Sequence, residues 1–311
     1  MIERLTLWGL APASPRTDIP LPGSPERSAS RLAVEDEAGT VWVLERLRPE
    51  QADRRERIGC ALLRLAEAGL PVAPYRPGPQ GRFVLEAEGA CWQLSPFVEG
   101  DPLPRPSFIE DPARGTALGR FLADLASAGE TVREPCPTFT LEEYVNELLA
   151  KTAARRPDVH RVLLPVLPVL APLFEAWHGL PHTLCQGDFH PLNVIWRGTE
   201  IGAVIDWEFM GVRPALYDAA NCLGCVGIED PRALVRGLAP ALLAELRDRE
   251  ALPPEGYRLL PELVLGLRFA WLSEWLRRSD EEMIEMELSF MRLLANSLDT
   301  LTPAWNRLLE H

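Results

Sequence analysis

Apolar and polar residues alternate along much of the first hundred positions, with the period of β-strands. Four strands are predicted: RLAVEDEAG (31–39), TVWVLERL (40–47), RFVLEAEG (82–89) and ACWQLSPFV (90–98). The first two form a hairpin, because an acidic turn ending in glycine joins them. Between the two pairs, residues 55–71 carry apolar side chains at helical spacing: Ile58, Ala61, Leu62 and Leu65. This part of the chain therefore predicts a strand-rich lobe with one helix, over 1–98.

The pattern changes at the proline-rich EGDPLPRP (99–106), where we predict a hinge. Beyond it the apolar spacing is helical, and Thr140 with Glu143 forms a capping-box pattern. Late helices are predicted over 231–248, 261–278 and 281–297. A single strand-like island, 183–206, interrupts this half. The fold class is therefore α+β, with a small strand-rich lobe and a larger helical lobe over 99–311 that carries one hairpin.

Composition narrows the classes of function. The chain has 311 residues and a formal charge of −13, which argues against nucleic acid as a partner and permits a cationic substrate. The apolar stretch 162–174 contains three prolines and is shorter than the roughly 20 residues that span a bilayer. Six scattered cysteines fit a reducing compartment, and Cys222 with Cys225 is interpreted as a buried helical pair. We expect a cytoplasmic protein without a membrane partner, and the oligomeric state stays open.

The island predicts a hairpin with polar side chains at its open end. Residues 194–196 and 201–205 are two short strands, and a four-residue turn separates them. If 196 pairs with 201, residue 193 pairs with 204, so that Asn193 and Asp206 leave the hairpin at the same end. An amide oxygen and a carboxylate there suit a hard cation, Mg²⁺ above all.

Asp188 lies a few residues away and can accept a proton from a hydroxyl nucleophile. A metal, a base and a hydroxyl together indicate phosphoryl transfer, which asks the protein for positioning and charge neutralisation. The alternative is that Asp188, His190 and Asn193 only supply hydrogen bonds to a turn. Taken together with Asp206, the four residues favour a site.

The segment CQGDFHPLNVIW (185–196), followed by IDWE (205–208) and GVRPALYDAA (211–220), resembles the aminoglycoside phosphotransferase/choline kinase family. That family has the protein-kinase-like fold. Weaker similarity extends over GLPVAPY (69–75) and PFVEG (96–100). Together these segments cover most of residues 30–225.

The resemblance implies a role for each motif residue. Asp188 is the catalytic base, His190 organises its loop, and Asn193 and Asp206 bind magnesium. Glu208 orients metal-bound water or substrate, and Asp218 anchors the loop from a helix. The strand end around Ser95, Phe97 and Val98 meets the adenine of ATP.

Two positions depart from the family pattern. Gln186 stands where the family has histidine, and a glutamine amide can also brace the loop. Glu45 stands where the family has the strand lysine that holds the nucleotide phosphates. At contact distance and an effective dielectric constant of 20, one charge pair is worth about 4 kcal/mol, so replacing attraction with repulsion shifts nucleotide affinity by roughly 8 kcal/mol unless something compensates.

Several arrangements could compensate for Glu45. Arg46 could reach the phosphates if a bulge shifts the strand, and Arg48 or the metal could substitute. The following helix contains Glu56, which is the expected partner of the missing lysine, beside Arg54, Arg55 and Arg57. An inverted ion pair between Glu45 and one of these arginines is possible, although a solvated charge run is the commoner explanation. Ser24, in the turn LPGSPERSAS (21–30), offers a hydroxyl to the phosphates.

The sequence gives only weak indications of which residues bind the phosphate acceptor. Trp271, Trp275 and Glu274 could hold an ammonium group, although an aromatic stripe on a helix is more often core. An exposed acidic face is predicted from four glutamates: Glu281, Glu282, Glu285 and Glu287.

We predict an ATP- and Mg²⁺-dependent phosphotransferase whose acceptor is a hydroxyl of a small molecule such as an amino alcohol, an aminoglycoside or a sugar. A serine/threonine protein kinase of the same fold and a catalytically silent kinase-like binding module are the alternatives.

Overall fold

The computed structural model describes residues 1–21, 28–132, 140–251 and 257–309. The chain divides into two compact units. Met1–Asp101 and Val194–Phe209 form the first, and Pro102–Asn193 with Met210–His311 forms the second. The sheet of the first unit and the helices of the second confirm the predicted α+β class.

The first unit is built on an antiparallel sheet, five-stranded over the described residues, in the order β1-β2-β3-β5-β4. Its strands are β1 Pro12–Pro15, β2 Ser30–Asp36, β3 Val41–Leu47, β4 Val84–Ala87 and β5 Ala90–Pro96. Alternation along β2, β3 and β5 places Val34, Leu44 and Leu94 in one apolar core, and a short 3-10 helix, Ile2–Trp8, packs Leu5 and Trp8 there. The strands predicted from the sequence are confirmed.

Helix α1, Ala52–Glu67, buries the predicted apolar face, including Ile58, Leu62 and Leu65. Gly59 lies on this face, where an added Cβ would fall 2.4 Å from the ring of Phe83. A side chain at position 59 would therefore push the helix away from that ring. The helix ends near the predicted place, and Gly69 turns the chain at a φ of +89°.

The hairpin predicted in the island is present as β7, Val194–Arg197, and β8, Glu200–Val204. Trp196 pairs with Ile201 as predicted, but the register shifts beside it, so Val204 pairs with Val194 and not with residue 193. The prediction for 193 was one position off because a bulge cannot be read from the alternation of such short strands.

The structure places this hairpin in the first unit, whereas the sequence analysis assigns it to the helical lobe. Backbone bridges join Val204 to Val72 and Trp196 to Asp101, and the Asp101 carboxylate accepts a hydrogen bond from the Gly198 amide at 2.7 Å. These contacts involve residues more than ninety positions away along the chain, so the local pattern could not indicate them.

The second unit is mainly helical. Its helices are α2 Pro112–Gly129, α3 Leu141–Arg155, α4 Pro157–Leu163, α5 Leu167–Ala176, α6 Tyr217–Glu229, α7 Leu238–Asp248, α8 Leu260–Arg278 and α9 Glu281–Leu309. The Thr140–Glu143 capping box opens α3 as predicted. Helix α2 packs closely on α7, because Gly115 and Gly119 leave room for the carbonyls of Leu238 and Leu242. Strands β6, His182–Cys185, and β9, Gly211–Pro214, pair antiparallel in this unit.

One segment of the described chain, Pro157–Gly179, is long and apolar enough to cross a membrane by length and composition alone, with a mean hydropathy of 1.5. In the structure it is two short helices, α4 and α5, joined by a 3-10 turn. It contributes buried side chains to the second unit: Val159, Leu163, Val166, Leu170 and Leu173. Its apolar window is 28% buried, and the expected cytoplasmic location stays a prediction.

Candidate active site

The loop between β6 and β7 carries the predicted chemistry and is anchored by a buried carboxylate on α6. Asp218 accepts hydrogen bonds from the backbone amides of Gln186 at 2.6 Å and Gly187 at 2.9 Å. Burial raises the pKa of Asp218 to about 6, against the lowering effect of these two amides. The geometry is that of the loop anchor that the resemblance implied for Asp218.

Gln186 braces the same loop from inside. Its side chain is fully buried, and its Oε1 accepts a hydrogen bond from the Asp188 amide at 2.7 Å. The glutamine therefore supplies a loop brace at the position where the family has histidine, as expected from its hydrogen-bonding groups.

Three predicted site residues meet within this loop. The Asn193 side-chain nitrogen donates to the Asp188 backbone carbonyl at 2.9 Å and to the Asp188 carboxylate oxygen Oδ2 at 3.2 Å. The His190 Nε2 lies 3.8 Å from the same Oδ2. With its amide nitrogen turned towards Asp188, Asn193 has its oxygen Oδ1 as the atom that can bind a cation.

A second brace reaches the loop from α6 and α8, and the sequence analysis missed it. Asn221 donates from Nδ2 to the Phe189 carbonyl at 3.2 Å and accepts from the Trp271 indole nitrogen at 3.0 Å. The Trp271 ring also lies edge-on to His190, with 5.7 Å between centroids. The only local signal was that Asn221 follows Asp218 by three positions, which puts both on one face of a helix.

Asp206 and Glu208 belong to the first unit, directly after the hairpin. Asp206 has a φ of +66°, a left-handed conformation that is uncommon for residues other than glycine, and the 3-10 turn Trp207–Phe209 follows it. The Glu208 carboxylate lies 2.9 Å from the Arg55 Nε, and its backbone carbonyl accepts from Arg54 at 3.0 Å. The roles of Asp206 as a metal ligand and of Glu208 in orienting water or substrate stay predictions.

Glu45 occupies the predicted strand position, and its charge is compensated. In the sheet it pairs with Arg31 on one side and Gln93 on the other. Both Nε and Nη2 of Arg31 donate to its Oε1, at 3.0 and 2.9 Å, and Gln93 donates to its Oε2 at 3.3 Å. The Arg55 Nη1 lies 3.9 Å from that Oε2.

This arrangement corrects two expectations about the arginines. Arg55 is only 5% exposed, so the interpretation of the helical charges as a solvated run was wrong for this residue, and the inverted pair is the arrangement found. Strand β3 pairs without a register shift from Trp42 to Leu47, so the bulge needed to bring Arg46 to the face of Glu45 does not form, and Arg46 is exposed.

Glu56, the expected partner of the family lysine, has a different function here. Its carboxylate accepts hydrogen bonds from the backbone amides of Phe83 at 3.0 Å and Val84 at 2.9 Å. It therefore fixes the start of β4 to helix α1.

The remaining nucleotide residues were predicted around the end of β5. Ser95 pairs with Val43 of β3, and the Phe97 amide donates to the Val41 carbonyl at 3.0 Å. These contacts continue the sheet to the point where Val98 leaves it. The adenine role of Ser95, Phe97 and Val98 stays a prediction. Ser24 lies outside the described residues.

The sequence predicts a metal ion at the loop. Within them, no group of three or more His, Cys, Asp or Glu side chains is arranged to hold a metal ion. A cation at the loop would therefore depend on few protein ligands and on phosphate oxygens or water, as magnesium in kinases does.

Burial raises the pKa of the Cys222 and Cys225 thiols, and the two cysteines lie on α6. The interpretation as a buried helical cysteine is therefore confirmed for Cys222, whereas Cys225 is half-buried.

The residues that the sequence suggested for binding the phosphate acceptor already contact arginine side chains. Trp271 and Trp275 lie 5.9 Å apart, but the guanidinium of Arg268 covers the first ring and that of Arg278 the second. Glu274 binds Arg277 at 2.8 Å.

Glu287 was wrongly assigned to the exposed acidic face. It is fully buried and forms a bidentate pair with Arg268, with both contacts at 2.6 Å. The other three members, Glu281, Glu282 and Glu285, are exposed.

The anchored loop, the hairpin after it and the five-stranded sheet together define a chain of the protein-kinase-like class. Residues 22–258 match the profile of the phosphotransferase enzyme family, and the chain belongs to that family. The predicted resemblance is thereby confirmed.

Individual relatives agree with this assignment. The homoserine kinase of Methylobacterium nodulans is 31% identical over 186 residues, which cover 58% of this chain and 57% of that relative. The microcompartment-associated aminopropanol kinase has a TM-score of 0.71 at 18% identity, over 96% of this chain and 97% of its own. Amicoumacin kinase hAmiN, in complex with AMP-PNP, Ca²⁺ and Ami, has a TM-score of 0.68 at 14% identity, over 97% of this chain and 93% of its own. The last two show the fold alone.

Proposed function

We propose that this protein is an ATP- and Mg²⁺-dependent kinase that phosphorylates a hydroxyl of a small amino alcohol or hydroxy amino acid. The observation that carries the proposal is the Asp188–Asn193 pair, held in a loop that Asp218 and Gln186 fix from buried positions. The names of the relatives, homoserine kinase and aminopropanol kinase, support this acceptor class.

Asp188 is proposed as the base that orients the acceptor hydroxyl. Its carboxylate is partly accessible, with 18% of the side chain exposed, and Asn193 donates a hydrogen bond to its Oδ2, with the His190 Nε2 3.8 Å from the same atom. A fixed carboxylate can accept the hydroxyl proton as the acceptor oxygen bonds to the γ-phosphorus of ATP and the bond from that phosphorus to the ADP oxygen breaks, so the acceptor oxygen attacks without building up positive charge. The loop braces make this placement rigid.

Asn193 and Asp206 are proposed as the magnesium ligands. Both offer oxygen, which is the donor that Mg²⁺ prefers, and Asn193 already directs its amide nitrogen towards Asp188. When bound, the metal would neutralise charge on the nucleotide phosphates. The AMP-PNP and Ca²⁺ bound to amicoumacin kinase hAmiN support an adenine nucleotide and a divalent cation.

The alternative of a catalytically silent binding module was considered because Glu45 would place a negative charge against the nucleotide phosphates. Arg31 binds that carboxylate through two donors, and Arg55 lies near it, so Glu45 does not present an uncompensated charge. This arrangement favours the enzyme over the silent module.

The test is ADP release in a coupled assay with ATP, Mg²⁺ and a panel of acceptors: homoserine, 1-amino-2-propanol, ethanolamine, choline and kanamycin. We expect turnover with at least one small amino alcohol or hydroxy amino acid. Asp188→Asn should lower kcat by roughly 100- to 10,000-fold, the usual contribution of a catalytic base, while nucleotide binding persists. Asp299→Asn, at an exposed position on α9, is the matched control.

The outcomes separate the candidate functions. Absence of any thermal stabilisation by millimolar ATP with Mg²⁺, in a folded protein, would refute a nucleotide-dependent kinase. Stabilisation without turnover on the panel, but with phosphorylation of a protein substrate, would instead support the protein kinase. Unchanged turnover in Asp188→Asn would remove the assigned base.

A further inference from the structure

Four side chains of the first unit form a line of alternating charge. Arg31 on β2 binds Glu45 on β3 at 2.9 Å, Glu45 lies 3.9 Å from Arg55 on α1, and Arg55 lies 2.9 Å from Glu208. Glu45 and Arg55 are each 5% exposed, so the middle of this line is buried, whereas its ends, Arg31 and Glu208, are half-buried. Tyr75 accepts a further hydrogen bond from Arg55 at 3.0 Å.

The line ties helix α1 to two elements at once. Through Glu45 the helix is linked to the middle of the sheet, and through Glu208 to the 3-10 turn after the hairpin. Arg54 strengthens the second link, since its Nη2 donates to the Glu208 carbonyl at 3.0 Å and its Nε at 3.3 Å. The turn begins directly after Asp206, whose left-handed φ of +66° is a conformation that neighbouring contacts must hold in place.

We propose that Glu45 and Arg55 replace the family's strand-lysine and helix-glutamate pair with the charges exchanged, and that Arg55 is a positioning residue that fixes Asp206 by holding Glu208. The magnesium part of this inference rests on the proposed function. The exchanged pair itself does not, because it concerns the folding of the first unit alone.

The proposal leads to an unusual expectation for Glu45→Lys, the change that restores the family residue. A lysine there would place a third cation beside Arg31 and Arg55 and would leave both without their shared carboxylate. Glu45→Lys should therefore destabilise the protein, lowering Tm by about 5 °C or more, as breaking a buried pair does. Glu45→Gln keeps the shape, adds no charge and should lower Tm less.

Arg55→Met tests the second link. It leaves the carboxylates of Glu45 and Glu208 close together without the cation between them, so we expect the turn that follows Asp206 to lose its fixed position. The Mg²⁺ concentration needed for half-maximal binding of a fluorescent ADP analogue should rise about tenfold. Arg55→Lys should recover part of this loss. Arg57→Met, at an exposed position of the same helix, should change neither Tm nor the Mg²⁺ dependence.

The experiment uses the full chain and needs no knowledge of the acceptor. Should Arg55→Met not fold, Glu208→Gln tests the same link with a smaller change and should also raise the Mg²⁺ requirement. A Glu45→Lys protein as stable as the wild type would overturn the exchanged pair. An Arg55→Met protein with an unchanged Mg²⁺ dependence would overturn the positioning role. A wild type that binds no nucleotide would count against both the positioning role and the proposed function, while the Tm comparison would still decide on the pair.

Discussion

Asp218→Asn should raise the stability of the fold and lower the activity. The stability should rise because keeping the buried Asp218 carboxylate ionised costs folding free energy. Burial raises its pKa from 3.8 to about 6, roughly a hundredfold change in proton affinity. At about 1.4 kcal/mol for each factor of ten, the ionised form is less favourable by about 3 kcal/mol in the folded protein than in the unfolded chain. An asparagine resembles the protonated acid, since it is neutral and has one accepting oxygen beside one donor group, and it avoids this cost.

The sign of the pH dependence follows from the raised pKa. The folded protein binds this proton more tightly than the unfolded chain, so the stabilisation is complete below about pH 4 and is lost as the pH rises through 6. Urea unfolding between pH 4.5 and 7.5 should show Asp218→Asn more stable than the wild type by up to about 3 kcal/mol at pH 7.5. The two proteins should converge at the acid end.

Activity should move in the opposite direction. Only the ionised carboxylate can accept both loop amides, of Gln186 and Gly187, so the variant leaves one of them without its acceptor. We expect a fall in kcat of about 10- to 100-fold, since one such bond is worth roughly 1–3 kcal/mol. The wild type should also lose activity below about pH 6, and the variant should lack this step. A variant that is less stable than the wild type by the same amount at every pH would refute the reasoning.

Two further changes test the supports of the loop and of the second unit. Trp271→Phe keeps a ring beside His190 but removes the hydrogen-bond donor to Asn221, so kcat should fall about tenfold while Tm stays almost unchanged. The control, Trp275→Phe, should leave kcat unchanged. Equal losses of kcat in both variants would contradict the role of Trp271 in bracing the loop. Gly115→Ala would place a Cβ 2.2 Å from the Leu238 carbonyl, so it should lower unfolding free energy by about 1–3 kcal/mol while kcat per folded molecule stays constant, as measured by urea unfolding and active-site titration. An unchanged unfolding free energy would mean that α2 and α7 can move apart to accommodate the added Cβ at no cost in stability.

Local sequence patterns predicted the parts of the site that are local in the chain. The loop with Asp188 and Asn193, the hairpin after it and the strands around Glu45 are each specified by neighbouring residues, so spacing and alternation were sufficient. The register of the hairpin was not, because one bulge beside Trp196 moves the pairing by a residue without changing the apolar pattern.

Burial of charged residues could not be predicted in the same way. Arg55 and Glu287 both lie in runs of charged residues on helices, a pattern that normally indicates a solvated face. Each is buried because its partner comes from another element: Glu45 and Glu208 for Arg55, and Arg268 for Glu287. A buried ion pair is a property of the tertiary fold, and the charge pattern of one helix does not contain it.

The same reasoning changes what the loss of the family lysine means. The expected loss of nucleotide affinity, roughly 8 kcal/mol, treated Glu45 as an isolated charge. In the structure it is one of four charges, with Arg31, Arg55 and Glu208, and two positive and two negative groups sum to zero. A lysine–glutamate pair also sums to zero. The two arrangements therefore have the same net charge, and what differs is which element carries the cation. What matters at the strand position of Glu45 is its ion pair with helix α1. Exchanging the charges of both partners can preserve this link between sheet and helix, whereas changing the charge of one partner would break it.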